Sequence, residues 1–347
     1  MANLVNPDQT FWKGKKVLVT GHTGFKGRWL SHWLTSLGCV VLGVSKGDYP
    51  QTFISEAPRD LLGASLNLDI NSRKFRHAVV DFQPEIVFHM AAQSLVSMGY
   101  LEPLGTYRTN VAGGIAILEI LDEIESIHTC IFVTTDKVYK PEGAMPFLET
   151  SELGGSDPYS KSKAMIEMIV ESCNFRKGLR IATVRSGNVI GGGDISSTRL
   201  LPDIVRAWQT KKILNLRNSN GVRPWMHVLE PLRGYLLMAQ FLDQKNIDMP
   251  AMNFGPSQQN HVKVAEIADL ACGLLGVKIA NEKSTASHHE TGLLKINASR
   301  AEEILKWNPY WGWEKATTNS IRWYQDYYLG CPVEDLFHRD LTEYLQN

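Results

Sequence analysis

Three glycines at three-residue spacing, Gly21, Gly24 and Gly27, stand between an apolar run at residues 15–20 and a segment carrying Trp29, Leu30, Trp33, Leu34 and Leu37 at helical spacing. A strand that enters a helix through a turn without side chains restricts the fold more than any other stretch of the chain. Glycine lets a backbone pass close to a pyrophosphate, and the helix N-terminus adds N–H donors and the positive end of a dipole. The spacing is Gly-x-x-Gly-x-x-Gly, not Gly-x-Gly-x-x-Gly. Alone, such a triplet also serves a tight strand-to-helix turn; with these flanks it favours a dinucleotide, held by Gly21, Thr23, Gly24, Phe25, Lys26 and Gly27.

The pattern then repeats. Apolar runs rich in β-branched residues at 39–44, 66–70, 85–92, 129–134 and 179–185 alternate with helical stretches, including one from about Pro103 to Ile124 and one begun at Tyr159. Strand–helix alternation of this kind implies an α/β fold, a Rossmann-type doubly wound parallel sheet, with a smaller C-terminal substrate-binding domain where the alternation weakens. At 347 residues the chain exceeds the usual single-domain size. The expected division is 1–187 for the dinucleotide-binding domain, with later returns near 225–256, and mainly 188–347 for the substrate-binding domain.

Charge excludes some classes. The 36 basic and 36 acidic residues are interspersed, which leaves no electrostatic footprint for nucleic acid or an anionic membrane. No apolar run approaches the roughly 20 residues of a membrane span, and the N-terminus has no basic and apolar leader, so a cytoplasmic protein is expected. Cys39, Cys130, Cys173, Cys272 and Cys331 are scattered without a Cys-x-x-Cys pair and read as reduced thiols. His288, His289 and Glu290 are adjacent, which makes sharing one ion difficult; no metal site is expected.

Ligand-facing positions follow from the ends of strands, where open α/β sheets place their crevice. After the second strand comes Ser45-Lys46-Gly47-Asp48: Asp48 is late for a ribose contact and Lys46 suits a 2′-phosphate, so NAD and NADP both stay open there. Asp69 and Ile70 either flank an adenine or, with Asn71 as cap, start the next helix. Ala91, Ala92, Gln93 and Ser94 end the fourth strand in small residues that permit close passage of a ligand, and Asn110 lies mid-way along the following helix. His89, mid-strand, reads as core. The run at 129–134 delivers Thr135, Asp136 and Lys137, while Tyr159 and Lys163, four apart, share one helix face. A hydroxyl, a carboxylate and two ammonium groups converging with a phenol exceed what a fold requires. Downstream, Asn188, Arg199, Arg217, Arg223 and His227 are the candidates for a sugar and a diphosphate, since arginine suits phosphate; surface arginines and a core Trp225 are the plain alternative. Helices 103–124 and 159 onward are apolar on more than one side, which predicts a homodimer through a helix bundle.

These residues resemble the extended short-chain dehydrogenases/reductases of the NAD-dependent epimerase/dehydratase type and, within them, the CDP-glucose 4,6-dehydratases. The glycine turn and the Tyr159–Lys163 pair mark only the superfamily; His22 with Lys26, Asp136 with Lys137, the Gly191–Asp194 turn and the Arg223-Pro-Trp225 segment are narrower. The related dTDP-glucose dehydratases carry glutamate where this chain has Lys137. Thr135 stands where serine is frequent, Ser94 and Ser97 where proline and arginine are usual, Met226 where glutamine is, and Lys140 where an acid or asparagine is common; these changes bear on the sugar or nucleotide.

The resemblance implies NAD as cofactor and CDP-glucose as substrate. Tyr159 would remove the C4-hydroxyl proton as hydride leaves C4, with Lys163 lowering the tyrosine pKa and holding the nicotinamide ribose, and Thr135 bonding the C4 oxygen. The C4 ketone acidifies C5–H, so Lys137 would act as base at C5 and Asp136 as acid at the C6 oxygen, with Glu230 and His227 supporting the substrate. Rival readings are a 4,6-dehydratase or 4-epimerase for another nucleotide sugar, for which the elimination pair is unnecessary in the epimerase case, and a dinucleotide-sensing protein without catalysis.

Overall fold

The computed structural model describes residues 5–47, 62–142, 145–216, 218–245, 247, 249–256, 261–280 and 294–346. In chain order the elements are α1 (Gln9–Trp12), β1 (Lys16–Thr20), α2 (Phe25–Ser36), β2 (Val40–Ser45), β3 (Leu62–Asn67), α3 (Arg73–Phe82), β4 (Ile86–His89), α4 (Val96–Leu101), α5 (Pro103–Tyr107), α6 (Gly113–Glu123), β5 (Thr129–Val133), α7 (Pro158–Ser172) and β6 (Arg180–Ser186). Then come β7 (Val189–Ile190), α8 (Leu200–Thr210), β8 (Val222–Pro224), β9 (Met226–His227), α9 (Leu229–Lys245), β10 (Ala251–Phe254), β11 (His261–Lys263), α10 (Val264–Leu275), α11 (Ser299–Leu305), α12 (Trp313–Tyr328) and α13 (Val333–Leu345).

Among the described residues, seven parallel strands form one sheet in the order β10-β6-β5-β4-β1-β2-β3. Its strands are apolar on both faces because helices cover both. Val17, Val19, Phe88, Ile131 and Val184 pack with Trp29, Trp33, Leu232 and Trp323 on one side. Their neighbours in sequence, Leu18, Val87, Cys130 and Phe132, pack with Phe75, Val79, Ile117 and Ile166 on the other. The strand order turns back at β1, whose partners are β2 and β4, and the crevice at that reversal is where such sheets hold ligands. Strand β10 lies at the sheet edge beside β6.

Three local readings change. The third strand runs Leu62–Asn67, ahead of the stretch 66–70 where the sequence placed it. The long helix expected from Pro103 is interrupted by a π-turn at Arg108–Ala112, and a further short helix, α4, precedes it. The π-turn carries the buried Asn110; single π-turns of this kind gather at functional positions. The cap of α3 is Ser72, whose side chain accepts from Phe75 N, and not Asn71, because Asn71 is drawn to the carboxylate of Asp69. His89 is a core residue as read, bonded through Nδ1 to Thr20 Oγ1 at 2.8 Å. The five cysteines are unpaired, and among the described residues no helix is long and apolar enough to cross a membrane.

Candidate active site

The apolar strand β5 is buried along its length, and its exit places polar side chains at the C-terminal edge of the sheet. Thr134 donates to the Glu167 carboxylate at 2.5 Å. Thr135 caps a single 3-10 turn, Asp136–Val138, by accepting from Lys137 N, and donates to Asp136 Oδ1 at 3.1 Å. Asp136 is only 2% exposed, and its Oδ2 takes no hydrogen bond from any described residue. Burial pushes its pKa up to about 6 against the pull of Lys137, Thr135, Lys26 and Arg223.

Helix α7 starts where Asp157 caps it through Ser160 N, with Pro158 in the first turn. That start fixes Tyr159 at the cavity, bonded to Thr135. Burial pushes the Tyr159 phenol up to about 12; the Thr135 hydroxyl and the Arg199 guanidinium oppose it. Lys163, one turn on, donates to Val133 O at 2.9 Å, and burial brings it down to about 8 while Glu167 pulls it back up. In this arrangement the Lys163 ammonium is turned to the end of β5. Thr135, Asp136, Lys137 and Tyr159 share a cavity of about 380 Å³ with Lys26, Ser94, Ser97, Asn188, Arg199, Arg223 and Trp225.

The dinucleotide cradle lies beside that cavity. Gly21 has φ +74°, and a Cβ there would stand 2.7 Å from Ala91 N. A Cβ at Gly27 would overlap the Gly21 carbonyl oxygen. Gly24 is the N-cap of the twelve-residue α2 and supplies no side-chain cap, so the helix start keeps backbone donors for an anion. Thr23 N donates to Ser45 Oγ, and Phe25 is buried. Asn110 clamps the loop after β4: it accepts from Gln93 N at 2.8 Å and donates to Gln93 O and Ser162 Oγ. At the far end Lys46 pairs with Asp69 at 2.7 Å on the exposed surface. The adjacent Ile70 is buried against Gly113. Asp48 lies outside the described residues. A cradle that side chains would fill and an uncapped helix start fit NAD.

Residues 17–253 match the NAD dependent epimerase/dehydratase family. The chain belongs to this family. It is similar to a CDP-glucose 4,6-dehydratase of Salmonella typhimurium, 37% identical over 97% of this chain and 98% of the relative. A UDP-glucose 4-epimerase from Stenotrophomonas maltophila, solved with bound NAD, superposes with a TM-score of 0.80 at 20% identity, covering 91% of this chain and 100% of that one. A dTDP-glucose 4,6-dehydratase from Bacillus anthracis in complex with NAD gives 0.75 at 22%, covering 90% and 97%. At these identities the two structures speak for the fold.

Within this family frame, several residues singled out in the sequence lie elsewhere. His227 is a core residue, fully buried between the Trp29 and Trp311 rings, and burial brings its pKa down to about 3. Glu230 is also internal: it accepts from Tyr310 N, Trp311 N and Tyr344 OH and pins the C-terminal segment. Met226 is packed in the core, whereas Ser97 does line the cavity. Lys140 pairs with the exposed Glu152. Arg217 and the run His288-His289-Glu290 lie outside the described residues. Lys26, expected at the pyrophosphate, bonds Ser186 at 2.8 Å on the cavity floor.

Sequence reasoning missed the support behind β5. Arg185 donates to Glu167 and to Tyr139 OH, and Tyr139 donates to Asn253 Oδ1 at 2.6 Å. This buried network joins β6, α7 and β10 and holds Glu167 under Lys163. A carboxylate four residues after Lys163 on an apolar helix was the available signal.

Proposed function

We propose that the protein is a cytoplasmic nucleotide-sugar 4,6-dehydratase that converts CDP-glucose to CDP-4-keto-6-deoxyglucose, with Thr135, Asp136, Lys137, Tyr159 and Lys163 as its reacting group. The observation that carries the reading is Asp136: a buried carboxyl with a raised pKa, next to Lys137 and in one cavity with Tyr159. An epimerase has no need of that pair. The likeness to the Salmonella CDP-glucose 4,6-dehydratase supports the choice of nucleotide.

When bound, NAD would supply the hydride chemistry, acceptance from C4 and return to C6. Gly21, Gly24, Gly27 and the start of α2 would hold its phosphates, and Asp69, Ile70, Ala91, Ala92, Gln93 and Asn110 would supply its remaining contacts. Tyr159, as the phenolate, receives the C4-hydroxyl proton, which later replaces the one Asp136 gives up, and Thr135, bonded to Tyr159, orients that oxygen. With C4 a ketone, the C5 proton passes to the Lys137 amine. The C6–O bond breaks, C5=C6 forms, and the Asp136 proton leaves with the oxygen as water. Return of a proton to C5 restores Lys137. Asn188, Arg199 and Arg223, with Ser94 at the rim, hold sugar and diphosphate so that these groups act on one carbon pair.

The exposed Leu101, Leu104, Met165 and Met168 on α4, α5 and α7 support the homodimer reading, a helix bundle shared between two copies. In the reaction itself, Lys137→Ala given CDP-glucose is expected to keep C4 oxidation, seen as bound-cofactor absorbance, while water loss falls by about 100-fold or more. Equal loss of both steps would remove Lys137 from the elimination.

A further inference from the structure

Lys26 belongs to the first turn of α2, at the glycine turn, yet its side chain crosses to the floor of the cavity that Asp136 and Tyr159 line. Its Nζ donates to Ser186 Oγ at 2.8 Å and to Tyr235 OH at 3.4 Å. The two hydroxyls are 2.9 Å from one another, one at the end of β6 and one on α9. Among the described residues both partners are neutral, so no carboxylate bonded to Lys26 offsets its charge when it is protonated. The residue after Ser186 is Gly187, and a Cβ on it would stand 3.0 Å from Asp136 Oδ2. Lys26 and the unbonded oxygen of Asp136 thus lie against adjacent residues, Ser186 at the end of β6 and Gly187 just past it.

We propose that Lys26 is a positioning residue for the elimination: seated on Ser186 and Tyr235, its ammonium steadies Asp136 as that carboxyl gives its proton to the C6 oxygen. The inference rests on the dehydratase reading. As the C6–O bond breaks, Asp136 passes from neutral to anionic in a buried site, and a fixed cation is worth most where charge develops out of water. Lys26 is itself under strain from its surroundings: burial brings it down to about 7, Arg199 and Lys163 push the same way, and Asp136 opposes them. Asp136 in turn feels Lys137 and Thr135 from its own turn and Arg223 from β8. Lys26 and Asp136 therefore shift one another's titration, the ammonium drawing the carboxyl pKa down.

The test compares wild type, Lys26→Met and Lys26→Arg with CDP-glucose across the neutral range. In Lys26→Met the alkaline limb, where Asp136 loses its proton, is expected to move up by about one pH unit. The maximal rate should fall by about tenfold or more while bound NAD stays at the wild-type level. Lys26→Arg should restore the limb, and Tyr235→Phe, a milder change, should shift it the same way by less. An unmoved limb, or NAD content falling in step with rate, overturns the proposal and returns Lys26 to the cofactor. Carbon NMR of the Asp136 carboxyl gives a reading that needs no turnover: an upward shift in Lys26→Met supports the pairing and no shift overturns it. A wild type that releases no water from CDP-glucose counts against the dehydratase reading instead.

Discussion

Asp136 shows how a single residue trades stability for reactivity. Its pKa in the fold, about 6, lies above the ordinary value of 3.8. Below 3.8 both folded and unfolded chains hold the proton, so the shift has no effect on stability. As pH rises between the two values the unfolded chain ionises first, and stability is lost until the folded carboxyl ionises as well. Asp136→Asn is therefore expected to raise the unfolding free energy at mildly alkaline pH by on the order of 2 kcal/mol, a gain that fades as pH falls through 6. The same variant should lose water elimination. Chemical denaturation at two pH values checks the first part and product mass the second; a destabilised Asp136→Asn at high pH would show that the carboxylate is better solvated than its burial implies.

At the scale of elements, most strands of the main sheet were legible because short apolar β-branched runs, each ending at a turn, admit few other readings, whereas β3, Leu62–Asn67, has no β-branched residue and was read four residues late. Residues at strand ends followed: Thr135, Asp136 and Lys137 are at the cavity because β5 ends beneath them. His227 and Glu230 were not legible as core residues. Their partners, Trp29, Trp311 and Tyr344, are far away in sequence, and nearness to Arg223 suggested a shared role that packing does not give them. The π-turn at Asn110 was equally hidden, since no proline marks it and Asn110 meets Gln93 only in the folded chain. Helices α4 to α7 leave an apolar face, with Leu104 75% and Met165 45% exposed. Leu104→Glu with Met165→Glu should convert a dimer to a monomer in sedimentation without lowering the thermal midpoint of the folded chain by more than a few degrees; a wild type that sediments as a monomer would contradict the bundle.

Across the whole molecule, a sheet that reverses order at β1 brings the glycine turn, the loop after β4 and the end of β5 to one crevice, while the segments after β6 close over it. Fold class and cofactor were readable because they depend on periodicity and on one turn. The arrangement of charges in the crevice was not, because Lys26, Arg185 and Glu167 find their partners only when distant strands pack. The proposed reaction is defined by a sugar that loses water while its C4 hydrogen moves to C6. The most direct measurement is the product mass and label position after purified protein meets CDP-glucose deuterated at C4. The expected product is lighter by one water, with the deuterium at C6 and no net reduced cofactor; an unchanged mass with an inverted C4 centre would contradict the account and make the protein an epimerase.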